Sequence, residues 1–308
     1  MMKENSRRMF LKTSSLSLGV LSTCTLSSIS SLAAETEPML QVEETTINLW
    51  PDKSQNNGAD LSNRPRLVVY RPKGNQSSRA AIMVCPGGGY GMLAYDHEGI
   101  QFAKLFASRG IVAAVLTYRV APNKFPAPYA DAARGMRLLR SKASSFGIDP
   151  KRIGIMGFSA GGHLASTVAT QPELYKDPAD DLAGTVSAKP DRVILGYPVI
   201  TFGQFTHAGS VKNLLGENPS DEQRKQFSGE LHVSPQTPPT FIFHTADDSG
   251  VPVQNALLFA DACVRHKVPV ALHIYPKGPH GVGLALDNPE LRGWSEVLLQ
   301  WLADWQGV

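Results

Sequence analysis

Gly157-Phe158-Ser159-Ala160-Gly161 sets a serine between two glycines, just after the apolar run 153–156 and just before a helical pattern at Gly162-His163-Leu164-Ala165. A strand that bends sharply into a helix holds such a serine in a strained backbone with little room for neighbouring side chains, which is what the flanking glycines supply. The hydroxyl then stands above the sheet end, and the first amides of the helix face any anion formed beside it. As a bare five-residue pattern the match is weak. In its strand–turn–helix setting it reads as a nucleophile for acyl transfer, not as a Gly-rich turn without chemistry.

A serine hydroxyl needs a base and a site for the oxyanion. Cys85-Pro86-Gly87-Gly88-Gly89-Tyr90 follows the strand-like run 80–84. Its consecutive glycines let backbone N–H groups turn toward a ligand, and Ala160, next to the serine, offers another donor. The segment lacks the Lys-Ser/Thr of a phosphate loop and the spacing of a dinucleotide fingerprint.

Of eight histidines, His280 is the best placed base, since Lys277-Gly278-Pro279-His280-Gly281 lies just beyond the strand run 270–275. His163 falls inside the helix after the serine and reads as a packing or hydrogen-bonding residue. His244 and His273 sit within strand runs, and His266 ends a helix, where a cation suits the dipole. His97, His207 and His232 are loop or helix-edge residues that either line a pocket or are simply solvated.

The acid that orients the base is expected at the end of the preceding strand. Asp247 and Asp248 compete there, one of them being a turn or capping residue. The spacing Asp-x-x-Val-Pro, through Val251-Pro252, selects Asp248.

These residues must be carried by a sheet. Strand-like runs at 45–49, 67–70, 80–85, 111–118, 152–156, 192–197, 240–244 and 270–275 alternate, from 80 onward, with helical patterns at 101–109, 127–146, 161–170, 253–266 and 291–305. Such alternation implies a mostly parallel sheet with helices on both faces. The β-rich start predicts antiparallel strands at one sheet edge. Segment 200–239, rich in Gly, Pro and polar residues, is too long for an ordinary connection. It is expected to be a lid or pocket-forming insertion in a single catalytic domain, 35–308.

Charge locates a different feature. The chain carries 30 Lys and Arg against 27 Asp and Glu. Residues 1–34 hold Lys3, Arg7, Arg8 and Lys12 against Glu4, so the remainder balances at 26 and 26. Polyanion binding, and with it nucleic acid, gains no support. Ser6-Arg7-Arg8-Met9-Phe10-Leu11-Lys12, a mildly apolar Ser/Thr-rich stretch and small residues at Ala33-Ala34 predict a twin-arginine-type export signal, and hence a periplasmic or secreted protein. Leu21-Ser22-Thr23-Cys24 is a poor lipoprotein box and gives lipid anchoring at Cys24 as a minor alternative. No stretch suits a membrane span. Three cysteines exclude a disulfide scaffold and a multi-cysteine zinc module. Cys85 reads as a small buried hydrophobe, although export permits a disulfide.

The set Pro86–Tyr90, Gly157–Gly161, Asp248 with Val251-Pro252, and His280-Gly281, in the order Ser–Asp–His, resembles the α/β-hydrolases of esterase/lipase type. Pro-Gly-Gly-Gly-Tyr followed by His97-Glu98-Gly99, Tyr118-Arg119 with Pro126-Ala-Pro128, and Phe158-Ser-Ala-Gly-Gly-His163 resemble a narrower group. That group holds bacterial acetyl xylan esterase-like and feruloyl/acetyl esterase (BD-FAE-like) proteins. The resemblance implies an α/β-hydrolase fold with Ser159 as nucleophile, Asp248 as acid and His280 as base. It implies oxyanion donors at the amides of Gly88, Gly89 and Ala160, although Pro86 stands where many members carry His. It implies no metal and no organic cofactor. The expected activity is removal of acetyl or feruloyl groups from plant polysaccharide such as xylan, or from another small ester, with Tyr90, His97 and His207 as subsite residues. A serine exopeptidase of the same fold and a non-catalytic carbohydrate-binding relative are the alternatives.

Overall fold

The computed structural model describes residues 41–51, 64–74, 79–179 and 181–306. The expected export signal and Cys24 lie outside the described residues. In chain order the elements are β1 (Val42–Asn48), β2 (Arg66–Pro72), β3 (Arg79–Cys85), α1 (Gln101–Ser108), β4 (Val112–Thr117), α2 (Ala127–Ser141), α3 (Ala143–Phe146), β5 (Ile148–Phe158) and α4 (Ser159–Thr170). They continue with β6 (Val193–Gly196), α5 (Ala208–Leu215), α6 (Asp221–Gln226), β7 (Thr240–Thr245), α7 (Gln254–Arg265), β8 (Val270–Tyr275) and α8 (Trp294–Trp301). The eight strands form one sheet in the order β1-β2-β4-β3-β5-β6-β7-β8. β2 pairs antiparallel with β1 and β4, while every pair from β4 to β8 is parallel, as the β-rich start and the later alternation imply.

Alternating side chains explain why the inner strands read as unbroken apolar runs. Ala81, Met83 and Cys85 of β3 join one core with Ile153 and Ile155 of β5, Leu195, Met136 of α2, Leu164 of α4 and Phe259 of α7. Ile82 and Val84 point the other way, toward Met156, Phe158, Phe241 and Phe243, under Phe102 and Phe106 of α1 and Trp294 and Leu298 of α8. A strand covered on both faces has no polar side to show.

Local signals moved several helix boundaries. The run 127–146 is two helices, broken at Lys142 and closed by Gly147 in the left-handed region at φ +66°. A π-helical turn, Asp96–Ile100, precedes α1. Segment 200–239 contains α5, α6 and a short turn, Gly229–Leu231, that composition did not announce. α6 buries no residue and so has no apolar stripe. It is defined by a capping box between Ser220 and Gln223.

The insertion is fastened to the body through Asn255 of α7. Asn255 Oδ1 accepts from the Ile200 and Thr201 amides at 2.8 and 3.0 Å, and its Nδ2 donates to Phe205 and Pro252 carbonyls, both at 2.9 Å. Two donors and two acceptances satisfy this buried amide completely.

Candidate active site

Ser159 lies where β5 bends into α4, and its backbone is left-handed at φ +50°. The close approach that forces this bend also dictates the glycines. A Cβ on Gly157 would stand 2.1 Å from the Gly161 carbonyl oxygen, and one on Gly161 would stand 2.1 Å from that of Cys85. The side chain is 6% exposed, and Ala160 follows it in the first turn of α4, where an amide has no partner within its own helix.

Three strand ends converge on this serine. His280, from the loop after β8, places Nε2 2.8 Å from Ser159 Oγ. Its Nδ1 donates to Asp248 Oδ2 at 2.7 Å, from the turn after β7. Because Nδ1 carries that proton, Nε2 of the neutral ring is free to accept from the hydroxyl. Burial disfavours the Asp248 carboxylate, but hydrogen bonds from His244, His280 and the Val251 amide outweigh it and hold the group well below the usual carboxylate range. The Gly250 and Val251 amides both donate to Oδ1, at 2.8 and 2.9 Å. Asp247 is the turn residue, its Oδ1 accepting from the Gly278 amide at 2.7 Å.

The glycine loop is tethered on both sides of its centre. Tyr118 donates its hydroxyl to the Pro86 carbonyl at 2.7 Å, and Asn213 of α5 donates to that of Gly89 at 2.9 Å. The Gly87 amide is committed to Glu98 Oε2 at 2.8 Å. Gly88 (φ +123°) and Gly89 (φ +62°) make no amide hydrogen bond among the described residues, so their N–H groups are left for a ligand. Any Cβ on Gly88 would meet the Met92 carbonyl oxygen at 2.3 Å.

Of the expected subsite residues, only His207 is brought to the loop. It caps α5, with Nδ1 accepting from the Ser210 amide at 3.2 Å and lying 2.8 Å from Ser210 Oγ. A nitrogen that accepts from an amide holds a lone pair, so the neutral ring carries its proton on Nε2. Its Cε1 is 3.5 Å from where a Cβ on Gly89 would stand. Burial and the nearby His280 lower its pKa, which favours the neutral form.

Tyr90 is a correction. It is 1% exposed, with φ +57°, and its hydroxyl donates to His163 Nδ1 at 2.8 Å beneath the loop, so it lines no subsite. His163 is the buried hydrogen-bonding residue expected, with Nε2 donating to the Phe227 carbonyl at 2.7 Å and its ring stacked on Phe202. His97 is half-exposed on the turn before α1, its ring 3.9 Å from Glu98 Oε1 and in no hydrogen bond with Ser159, His280 or Asp248. Cys85 and Cys263 are free, buried thiols whose pKa values are pushed up by burial.

Three site residues escaped the sequence reading. Glu98 was visible only inside a longer motif, Tyr197 follows β6 without any pattern to mark it, and His244 hides in an apolar strand. No group of residues suited to a metal ion occurs among the described residues. The arrangement can accept a proton from Ser159, stabilise the resulting imidazolium with Asp248, and offer amides to an oxyanion.

The BD-FAE family model matches residues 67–263. The chain is 40% identical to an endo-1,4-beta-xylanase B of Butyrivibrio fibrisolvens, over 84% of this chain and 41% of that protein. It is 34% identical to an acetylxylan esterase of Xylanibacter ruminicola, over 79% of this chain and 48% of that protein. It therefore spans less than half the length of these two curated relatives. The solved acetyl ester-xyloside bifunctional hydrolase from Caldicellulosiruptor lactoaceticus superposes with a TM-score of 0.80 at 44% identity, over 85% of this chain and 97% of that one.

Proposed function

The chain belongs to the BD-FAE family of α/β hydrolases, and we propose that it is an exported serine carboxylic ester hydrolase removing acetyl or feruloyl groups from xylan-type polysaccharide. The observation that carries this reading is the relay from Asp248 through His280 to Ser159, with donor–acceptor distances of 2.7 and 2.8 Å, on a serine held at φ +50°. Similarity to an acetylxylan esterase and to an acetyl ester-xyloside hydrolase supports the substrate class.

In this reading Ser159 Oγ bonds to the ester carbon as His280 Nε2 takes the hydroxyl proton, and the carbonyl electron pair moves onto oxygen. The amides of Gly88, Gly89 and Ala160 receive that oxyanion. Collapse breaks the bond to the sugar oxygen, which leaves with the proton from His280. Water then attacks the acyl-serine along the same path, releasing the carboxylic acid. In this reading the Nε2–H of His207, whose ring lies beside Gly89, donates to a hydroxyl of the sugar. Segment 200–239 supplies the wall that carries it.

Purified protein would be tested on acetylated xylan, short aryl esters, a feruloyl ester and dipeptidyl anilides, beside Ser159→Ala. Acetate release that disappears in the variant is the expected result. Anilide cleavage without ester hydrolysis would replace the reading with a peptidase, and polysaccharide binding without turnover would replace it with a binding protein. Export would be tested by cell fractionation, with Arg7→Lys/Arg8→Lys expected to hold the protein in the cytoplasm.

A further inference from the structure

Glu98 is a carboxylate 3% exposed, yet its nearest cationic candidate is the half-exposed His97, 3.9 Å away. Taking a carboxylate out of water costs several kcal/mol unless hydrogen bonds replace its hydration. Here two donors do so. Oε2 accepts from the Gly87 amide at 2.8 Å and Oε1 from the Tyr197 hydroxyl at 2.8 Å. The Tyr197 oxygen in turn accepts from the Gly283 amide at 3.0 Å, and its ring meets His280 edge-on with centroids 5.1 Å apart. One carboxylate thus joins the glycine loop after β3, the residue after β6 and the loop that carries His280.

An ionised carboxylate only accepts, so it fixes the direction of both donors. Gly87 N–H points at Glu98, and the Gly88 and Gly89 amides that follow it make no hydrogen bond among the described residues. Tyr197 O–H must also point at Glu98, which leaves the phenol lone pair to receive Gly283. The space confirms how closely Glu98 backs the nucleophile: a Cβ on Gly87 would lie 2.6 Å from Glu98 Oε2 and 2.9 Å from Ser159 Cβ. We infer that Glu98 is a positioning residue, a buried two-way clamp that aims the Gly88 and Gly89 amides and sets the His280 loop against Ser159. This inference rests on the serine-esterase reading for its chemical consequence, but not for the clamp.

The isosteric Glu98→Gln tests it, because an amide must present N–H to one of the two donors and break the polarity of the chain. Glu98→Asp tests reach, since one methylene less cannot meet both partners. Each full-length variant would be measured in two ways. Hydrogen exchange of the peptide spanning 87–92 reports the loop without reference to activity. Active-site-normalised hydrolysis of 4-nitrophenyl acetate separates kcat from KM. The clamp predicts exchange at least about tenfold faster in Glu98→Gln, with kcat lower by about 10²-fold, the loss typical of a misplaced oxyanion donor, and KM within about threefold. A folded Glu98→Gln with wild-type exchange or wild-type kcat overturns the inference, as does a variant whose loss is entirely in KM. If the wild-type protein hydrolyses no ester, the esterase reading fails, while the exchange measurement still decides the clamp.

Discussion

His244 Nε2 lies 3.4 Å from Asp248 Oδ2, the same oxygen that receives His280 Nδ1 at 2.7 Å. His244 is fully buried and also donates to the Val251 carbonyl at 2.9 Å, so it braces both the acid and the turn that holds it. The Asp248 carboxylate is therefore held by groups other than His280. Asp248→Asn keeps an oxygen for the Gly250 and Val251 amides but reverses the donor sense toward His280. We expect kcat to fall by about 10⁴-fold, with the fold retained, because the imidazole is then held in the wrong tautomer. Steady-state kinetics with a circular dichroism control check this, and a loss under tenfold would remove Asp248 from the relay.

His207→Asn preserves the α5 cap, since Asn is a favoured N-cap residue, but withdraws the ring donor beside Gly89. KM for acetylated xylo-oligosaccharides should rise about three- to tenfold, the loss of one neutral hydrogen bond, while a small aryl acetate stays within about twofold. Equal effects on both substrates would show that the ring contacts no sugar.

Burial pulls the His163 pKa from 6.5 down to about 4, partly opposed by the hydrogen bond to Phe227. The unfolded chain takes up a proton near 6.5 and the folded protein only near 4, so the unfolded state binds more protons between those values. Stability should fall as the pH drops from 6.5 to 4, by about 1.4 kcal/mol per unit and about 3 kcal/mol in all, and His163 should add no dependence above 6.5. Urea titrations across this range, compared with His163→Gln, would show a shallower slope in the variant. Parallel profiles would refute a neutral buried imidazole.

Asn255→Ala strands the Ile200 and Thr201 amides and the Phe205 carbonyl at the root of the 200–239 segment, while the Pro252 carbonyl keeps the backbone amide of residue 255. A cost of about 2–4 kcal/mol is expected, from the penalty of unsatisfied buried groups. Limited proteolysis should cut within 200–239 before the rest of the chain. Cleavage elsewhere first would mean that the segment is held by other contacts.

The sheet was legible because strands buried on both faces leave continuous apolar runs, and Ser159 and His280 were legible because each follows such a run in a Gly-rich bend. Asp248 could be separated from Asp247 by its spacing to Val251-Pro252. Tyr90 misled because adjacency to the glycine loop says nothing about facing, and its left-handed backbone turns the ring inward onto His163. Glu98 and His244 acquire their roles only when the fold is closed. Glu98 meets a residue 99 positions away, and His244 looks like any other position in an apolar strand. α5 and α6 were missed for another reason, since caps and not a hydrophobic stripe define the polar helix α6.

The left-handed bend at Ser159 has a consequence for how this protein can be improved. An L-residue at φ +50° costs about 1–2 kcal/mol that glycine does not incur. Ser159→Gly should therefore resist urea better than Ser159→Ala by about 1 kcal/mol, even though neither variant carries the hydroxyl that the esterase reading requires. Selection for heat resistance alone would drift toward an inert, sturdier chain. On the esterase reading, only selection on turnover keeps a hydroxyl at a bend where the backbone would rather have nothing.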